Sequence, residues 1–374
     1  MAATIDELFH HITINRIVSE LQGPSHRLCS YYGLKQGGPN TDDAGGSQFA
    51  WDLFNRTRLV PTGRLRGAGP STAQAQKVGN VTATCYRSFQ QIPLDYDKIY
   101  RNRGLGQSLG TFDTMAERYL AKQMTYQAEQ FMNMRELLVM WMFRGGFELT
   151  IDGDNVLPVP TGSSGEITVD FNHPAANQGT VGGIFGGDWE DHANGNVIQE
   201  LMLLNKHSAQ NSRYPQTTAW VNATGAYHIL QNAEVKSMGG TANTVFSDNV
   251  PLDYEGFRNV DGVRSNVMTF TLRGFPSMRF FIYDDLITLP NGNSEPFIPD
   301  GKMLTTPDPG DWLEWKNGSE PVQKAITGPI SDEFGFTMWQ ETTRNPVGVN
   351  LYALDNGLPA PYVPGAWYFP TIHA

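Results

Sequence analysis

The stretch FDTMAERYLAKQMTYQAEQFMNMRELLVMWMFR, residues 112–144, predicts one long helix. Its apolar residues recur every three or four positions, the period of a helix with one buried face. They are Phe112, Ala116, Leu120, Met124, Ala128, Phe131, Leu138 and Met142. Thr111 and Asp113 can cap its start, and Gly145-Gly146 permits a left-handed stop. Such a helix would be roughly 50 Å long, several times the usual length, and indicates a subunit that spans a distance.

The composition favours a surface that other protein covers. Of 374 residues, 40% are apolar and only 17% are charged, below the usual quarter. A β-rich monomer can have the same composition, so both interpretations stay open. Cys29 and Cys85 are too few for a disulfide framework or a cysteine metal site, so we expect two free thiols.

The start of the chain, MAATIDELFHHITINRIV, lacks the basic region and apolar run of a secretion signal. No apolar run approaches the length that crosses a bilayer. We therefore expect no membrane partner and a protein that stays in the compartment where it is made.

The charge of the chain is unevenly distributed. Residues 56–103 contain nine basic residues and two acidic ones, a charge of +7, so the rest of the chain carries −18 of the total of −11. A basic segment on an acidic body favours contact with the acidic body of a neighbouring copy. Nucleic-acid binding by this segment is the alternative, but it lacks interleaved stacking aromatics. The predicted contact residues are Arg56, Arg58, Arg64, Arg66, Lys77 and Arg87.

The order of elements predicts an α+β fold with extended arms. Glycines interrupt residues 1–50, which indicates an arm, and Phe49–Pro93 predicts a hairpin with its tip at Gly63–Gly69. After the long helix we expect a hairpin at Phe147–Val159 and a strand-turn-strand tail at Gly348–Ile372. The remaining predicted strands are Ile167–Phe171, Ala219–Val221, Thr269–Leu272, Arg279–Tyr283 and Asp300–Thr305, and the helices are Asn196–His207 and Thr224–Val235.

No motif demands an enzyme or a cofactor. The glycines Gly104, Gly106 and Gly110 suggest a dinucleotide loop, but the polar sequence before them is no buried strand, so a hinge is favoured. The acids Asp188, Glu190 and Asp191 flank Trp189 in a Gly-rich loop, where capping or solvation is commoner than glycosidase chemistry; Asp188 could cap the segment that follows. The histidines show no metal-ligand spacing. We expect no catalytic, cofactor-binding or metal-binding residues.

Four stretches, in order along the chain, resemble the major capsid proteins of tailed phages, the lambda-like (protein E type) family of the Hong Kong ninety-seven fold. Ala116–Arg118 through Gly145-Gly146 is similar to the spine helix of that family. Trp220–Leu230 is similar to the strand and helix that open its axial domain. Phe297–Leu304 resembles a loop ending in Pro-Asp before a strand, and Asn345–Ala366 resembles the closing strand of its peripheral domain.

The resemblance implies a set of domains and an assembly. The implied parts are an N-terminal arm (1–50), an extended β-hairpin loop over the neighbouring subunit (51–104), a peripheral domain with the spine helix 112–144 (105–211), an axial domain (212–330) and a return to the peripheral domain (331–374). The implied function is a shell protein of the virion that assembles through hexamers and pentamers in the cytoplasm of the bacterial host. Its implied partners are further copies, a separate scaffold protein, a portal, a decoration protein and non-specifically packaged double-stranded DNA.

Two other functions are weighed against this one. A nanocompartment shell of the same fold would enclose cargo enzymes instead of a genome. A β-rich carbohydrate-active enzyme would use the acids at 188–191, and replacing them would abolish an activity without affecting assembly.

Overall fold

The computed structural model describes residues 27–35, 37–54, 77–95, 114–152, 155–163, 165–237, 259–260, 263–264, 269–272, 278–289, 292–323, 330–344 and 347–373. The helices in these ranges are α1 (Arg27–Tyr32), α2 (Thr114–Phe143), α3 (Val197–Asn211), α4 (Ala223–Gln231) and α5 (Ala233–Ser237), with a 3₁₀ turn at Ala175–Asn177.

The strands follow in chain order. They are β1 (Thr41–Asp43), β2 (Gln48–Phe54), β3 (Lys77–Thr84), β4 (Tyr86–Asp95), β5 (Gly146–Asp152), β6 (Asn155–Pro160), β7 (Ile167–Asp170), β8 (Gln178–Gly179), β9 (Thr218–Val221), β10 (Asn259–Val260), β11 (Val263–Arg264), β12 (Thr269–Leu272), β13 (Met278–Ile282), β14 (Leu286–Thr288), β15 (Ser294–Pro296), β16 (Met303–Thr306), β17 (Leu313–Asn317), β18 (Ser319–Gln323), β19 (Ile330–Phe334), β20 (Thr337–Arg344), β21 (Val347–Pro361) and β22 (Phe369–Pro370). The α+β class predicted from the sequence is confirmed.

The long helix is present as α2, and its predicted stop is confirmed. Gly145 has a φ of +113°, which favours glycine, and its N–H donates to Met142 O at 3.0 Å. Every side chain from Leu137 to Phe143 is buried, so the last turns of the helix are enclosed on all faces. Phe112 and the predicted caps Thr111 and Asp113 lie outside the described residues.

The strands of both predicted hairpins pair, although the tips lie outside the described residues. The return strand predicted up to Pro93 is divided, because β4 pairs with β21 and not with β2. β2 pairs with β3 in a two-stranded sheet, and β5 pairs with β6 with Asp152 opposite Asn155. β7 adds to the other edge of β5 and completes a three-stranded antiparallel sheet. The period-two pattern and the Asp-Gly turn were therefore sufficient signals for these strands.

Three predicted boundaries need correction. The arm expected at 1–50 stays a prediction, and within it α1 and β1 form regular elements, because residues between its glycines find hydrogen-bond partners elsewhere in the chain. The helix predicted at Thr224–Val235 is two helices, because Asn232 is extended and its side chain accepts hydrogen bonds from the N–H groups of Glu234 and Val235. α3 continues four residues past His207, and β16 begins at Met303 because Gly301 before it has a φ of +73°.

The strands β8, β10, β11, β14, β15 and β17–β20 were not predicted from the sequence. Several of them carry charged residues or prolines, as in LEWKN, SEPVQ and ISDEF, which depress β-propensity, and β8, β10, β11 and β14 are only two or three residues long. Pairing with other strands decides their conformation: β18 with β19, and β20 with β21.

The chain divides into two units. Unit 1 comprises Met1–Phe49, Ala83–Leu138 and Glu314–Pro359. Its main sheet has the order β1-β17-β21-β20, with β4 also paired to β21, and β1 runs parallel to β17. The long strand β21 is thus bonded along both edges, because β20 and β4 pair with overlapping parts of it.

A buried ion pair lies at the centre of unit 1. Arg135 of α2 donates from Nε and Nη2 to the two carboxylate oxygens of Asp355 on β21, each at 2.6 Å. Its guanidinium carbon lies 4.7 Å from the ring centroid of Trp315 on β17. The next residue, Glu136, accepts hydrogen bonds from the N–H groups of Leu28 and Cys29 in α1, at 2.7 and 2.9 Å. Two adjacent residues of α2 therefore hold α1, β17 and β21.

The two cysteines are free and buried, as expected. Burial, together with the carboxylate of Glu136, raises the pKa of the Cys29 thiol well above its usual value. Burial and the charge of Asp355 raise the pKa of Cys85. Both sulfurs are therefore protonated and unreactive at neutral pH.

Unit 2 comprises Ala50–Thr82, Val139–Leu313 and Ala360–Ala374. A four-stranded sheet of order β12-β13-β9-β16 packs with α3 and α4 around a core that includes Val221, Leu204 and Phe280. A second cluster joins Phe143, Trp312 and Trp367, whose ring centroids lie 5.8 to 6.2 Å apart.

We expect Asp355→Asn to lower the free energy of unfolding by about 3–5 kcal/mol, because it leaves the buried guanidinium of Arg135 without a counter-charge. Denaturant titration followed by tryptophan fluorescence measures this change. Arg87→Gln is the matched control, since the Arg87–Glu320 pair at 3.0 Å is half-exposed and should contribute about 1 kcal/mol or less. Equal effects of the two substitutions would contradict the assignment.

His173 should make the stability of unit 2 sensitive to acid. Its ring stacks on Trp367, its Nδ1–H donates to Pro364 O at 2.9 Å, and its Nε2 is buried without a hydrogen-bond partner among the described residues. Burial lowers the pKa of His173 to about 4. The folded chain therefore binds fewer protons than the unfolded chain below about pH 6.5, and stability should fall from there towards pH 4.

His173→Phe keeps an aromatic ring on Trp367 and removes this titration. The free energy of unfolding, measured by denaturant titration between about pH 7 and 4.5, should then depend less on pH than in the unsubstituted chain. An unchanged slope would show that His173 does not contribute.

Candidate assembly surfaces

One of the predicted contact residues is described together with its side chain. Arg87 lies on β4 with its side chain 49% exposed, and its Nε donates to Glu320 Oε1 at 3.0 Å. Lys77 begins β3. Arg56, Arg58, Arg64 and Arg66, and the predicted hinge glycines Gly104, Gly106 and Gly110, lie outside the described residues. Contact by the basic segment and flexing of the glycines stay predictions.

Arg87 borders an exposed aromatic cluster on the sheet of unit 1. Its guanidinium carbon lies 5.1 Å from the ring centroid of Phe89. Phe89, Trp339 and Tyr352 have ring centroids 5.4 to 5.9 Å apart and planes within 17° of parallel. The register of the sheet explains this grouping, because β20 places Trp339 directly opposite Tyr352, and β4 places Phe89 beside them.

The cluster is partly exposed. Phe89 is 45% exposed, and Trp339 and Tyr352 are half-buried. Leu351 and Ala353, which flank Tyr352 on β21 and point to the opposite face, are buried. Arg, Trp and Tyr are the side chains that most often dominate binding energy in protein interfaces. The aromatic cluster therefore has the composition of a protein-contact surface. Sequence reasoning found Arg87 by charge but missed the cluster, because the three rings are far apart in the chain.

A second apolar surface lies on the β5-β6-β7 sheet of unit 2. Ile151 is opposite Val156, and Ile167 is opposite the buried Leu149. Ile151, Val156 and Ile167 are 50%, 40% and 39% exposed. The apolar face of this sheet thus continues beyond the part that the core covers.

The acids around Trp189 make hydrogen bonds within their own loop. Trp189 is fully buried, and Asp191 accepts hydrogen bonds from the N–H groups of Ala193 and Asn194, so Asp191 and not Asp188 caps the loop. Hydrogen bonds from Asn194 are the main cause that lowers the pKa of Asp191. These contacts serve the loop that contains the acids.

Glu200, on α3, is a further acid that contacts this loop, and the sequence did not reveal it. It accepts hydrogen bonds from Trp189 Nε1 at 2.7 Å and from Gly186 N at 2.8 Å. Burial raises the pKa of Glu200 despite these bonds. Its position in the first turn of α3 gives no sequence signal, since an acid there is common in any helix.

Three histidines meet in unit 2, a grouping that their spacing along the sequence did not indicate. His192 Nε2 lies 3.0 Å from His228 Nδ1, and the rings of His228 and His373 have centroids 4.9 Å apart. Within the described ranges, no three or more His, Cys, Asp or Glu side chains form a group that could hold a metal ion. Among the described helices, none combines the length and apolar character needed to cross a membrane.

Comparison with solved structures supports a capsid-type fold. The chain matches a putative prophage capsid protein of E. coli CFT073 with a TM-score of 0.57 and 12% identity, covering 100% of this chain and 99% of that one. It also matches a phage-related protein of Bordetella bronchiseptica RB50 (TM-score 0.48, 8% identity, coverage 100% and 98%). A chain of the satellite phage P4 procapsid matches with a TM-score of 0.46 and 11% identity, covering 97% and 90%. The latter two scores are too low to support an argument.

Sequence comparison identifies the family. No curated protein sequence matches the chain significantly. The profile described as phage major capsid protein E matches residues 55–372, which is most of the chain. The mixed helix and strand architecture agrees with that match. The chain therefore belongs to the phage major capsid protein E family.

Proposed function

We propose that this chain is the repeating subunit of an icosahedral shell, and that it assembles through hexamers and pentamers around a phage genome. The family match across residues 55–372 is the observation that carries this proposal. A structural role in the virion follows from the family, and we propose that the chain has no catalytic activity of its own.

The exposed surfaces support contact between copies. The aromatic cluster and Arg87 lie on one face of unit 1, and the apolar residues at 151, 156 and 167 lie on one face of unit 2. Shell contacts must be numerous and individually weak, and surfaces of this kind supply contact area without a large obligate interface. We propose that the basic segment 56–103 contacts the acidic body of a neighbouring copy, since the two differ in sign of charge.

The remaining parts of the assembly follow from the same role. We propose an arm at 1–50, a loop over the neighbour at 51–104, a peripheral domain at 105–211 and 331–374, and an axial domain at 212–330. Assembly would take place in the host cytoplasm with a separate scaffold protein, a portal and a decoration protein. The net charge of −11 suits an inner face that does not hold packaged double-stranded DNA tightly.

A nanocompartment shell is the second candidate, and the match to a phage capsid family makes it the weaker one. Expression of the chain with and without a candidate scaffold, followed by negative-stain electron microscopy and light scattering, tests assembly directly. Closed shells or rings of subunits are expected. A monodisperse monomer under all conditions would refute the proposal, and genes for a portal and for DNA packaging beside the coding sequence would separate a virus from a compartment.

Phe89→Gln should weaken assembly with little effect on the subunit. We expect the protein concentration needed for assembly to rise roughly tenfold, because each copy loses an aromatic contact. The free energy of unfolding should change by about 1 kcal/mol or less, the range of a cross-strand pair. Phe89→Tyr retains the ring and is the matched control. Light scattering against concentration measures assembly, and normal assembly of Phe89→Gln would remove this surface from the proposal.

Gly104→Pro and Gly106→Pro should block expansion of a precursor shell if residues 104–110 are a hinge, because proline fixes φ and removes backbone freedom. Gly104→Ala and Gly106→Ala are the controls and should expand. Particle diameter before and after expansion, measured by electron microscopy, gives the result. Proline variants that expand normally would exclude the hinge.

A further inference from the structure

The three histidines of unit 2 come from three separate segments. His192 lies in the loop before α3, His228 on α4, and His373 in the last described residues of the chain. His228 is the middle member, bonded to His192 and in edge-to-face contact with His373. His373 Nε2 lies 3.4 Å from Asp300 Oδ1 and accepts a hydrogen bond from Gly301 N at 3.2 Å.

These histidines lie where the last residues of the chain are fastened. Ile372 O accepts a hydrogen bond from Trp189 N at 3.0 Å, and Ile372 N donates to Gly301 O at 2.8 Å. His373 also forms a β-bridge with Asp188, the residue before Trp189. The segment 371–373 is thus held between the loop 186–195 and the loop that contains Gly301.

The bond between His192 and His228 depends on protonation. At neutral pH one ring nitrogen donates a hydrogen and the other accepts it. A single added proton can be tolerated, because a protonated ring can still donate to a neutral one. When both rings are protonated, both nitrogens are donors 3.0 Å apart, and the bond is replaced by repulsion between two positive charges.

The charged groups around the cluster do not cancel this repulsion. Those facing His228 are the other two histidines, Glu190 on the loop of His192 and Asp300 across from α4. Burial, followed by His373 and His192, lowers the pKa of His228, and the two acids oppose this shift. Asp191 lies beside His192 but is engaged by Ala193 and Asn194. Asp300 is bonded to Asn222 and lies against His373, so its carboxylate already contacts two other side chains.

The same loop has a second fastening that weakens in acid. Gly186 N and Trp189 Nε1 both donate to the carboxylate of Glu200, whose pKa is raised by burial. Protonation of Glu200 would turn two charge-assisted hydrogen bonds into weaker neutral ones. The contacts of the loop 186–195 with Glu200 and with His228 therefore both weaken as the pH falls.

We propose that His192, His228 and His373 form an acid-released clasp, which at neutral pH holds the loop 186–195 against the C-terminal segment 371–373 and lets both separate when the cluster becomes multiply protonated. The release falls below about pH 6.5, the ordinary pKa of a histidine, because burial and the neighbouring histidines lower the pKa of His228. The release is triggered by protons and not by a metal ion, because the described residues offer no group of three metal-binding side chains here.

Hydrogen exchange of the full chain at pH 7.5 and pH 5.0, followed by mass spectrometry and corrected for intrinsic rates, tests the clasp. Peptides covering 186–195 and 368–374 should lose protection at least roughly tenfold at pH 5.0, with little change in α3. His228→Gln keeps a group that can hydrogen-bond but does not titrate, so its peptides should stay protected at pH 5.0. His207→Gln is the matched control, because His207 bonds Asn211 of its own helix and lies outside the cluster. Its ring contacts Tyr368, so this variant is compared in the peptide covering 186–195, which should open in acid as in the unsubstituted chain.

A permanently charged variant keeps the test decisive if His228→Gln folds poorly. His192→Lys places a positive charge beside His228 at all pH values, so the same peptides should already exchange faster at pH 7.5. The proposal is overturned if the unsubstituted chain shows no local opening at pH 5.0, or if His228→Gln opens as much as the control. It is also overturned if His192→Lys is as protected at pH 7.5 as the unsubstituted chain.

Discussion

The buried guanidinium of Arg135 is the constraint on which unit 1 depends. A charge with 0% exposure is tolerated only if its hydrogen-bonding groups are matched, and Asp355 matches two of them in bidentate geometry while Trp315 covers one side. The position of β21 relative to α2 is therefore fixed by directional bonds as well as by packing. Glu136, the next residue, is a buried negative charge that is also hydrogen-bonded. Its carboxylate accepts hydrogen bonds from N–H groups at the start of α1, which have no acceptor within the helix.

Unit 2 uses buried acceptors in a similar way, but to fix loops. Glu148 accepts hydrogen bonds from Gly162 and Gly165, each at 2.7 Å, and Glu200 accepts from Gly186 and Trp189. Each acid accepts hydrogen bonds from N–H groups that lie outside helices and strands. Burying these groups without a partner would be costly. The sequences of these loops show no regular pattern, but hydrogen bonds to the two acids hold them in place. His192 lies on one of these loops.

Hydrogen-bonded charges in the interior and exposed apolar side chains on the surface fit the role of a shell subunit. Arg135, Glu136 and Glu200 are buried and bonded, whereas Phe89 of the aromatic cluster and the apolar residues of the β5-β6-β7 sheet face outwards. Such a subunit is held together by its own hydrogen bonds and leaves apolar surface for contacts made after folding. Membership of the phage major capsid protein E family gives this arrangement a reason, since every copy in a shell is surrounded by others.

The sequence by itself determined what local pattern encodes. The helical period of residues 114–143, the stop at Gly145 and the β5–β6 hairpin were readable without a structure, and the family resemblance agreed with the family match. The tertiary structure decided the rest: the Arg135–Asp355 pair, the aromatic cluster of Phe89, Trp339 and Tyr352, and the meeting of His192, His228 and His373. These groups join residues 13 to 263 positions apart, and no local signal reports such contacts, because long-range strand pairing and packing bring them together.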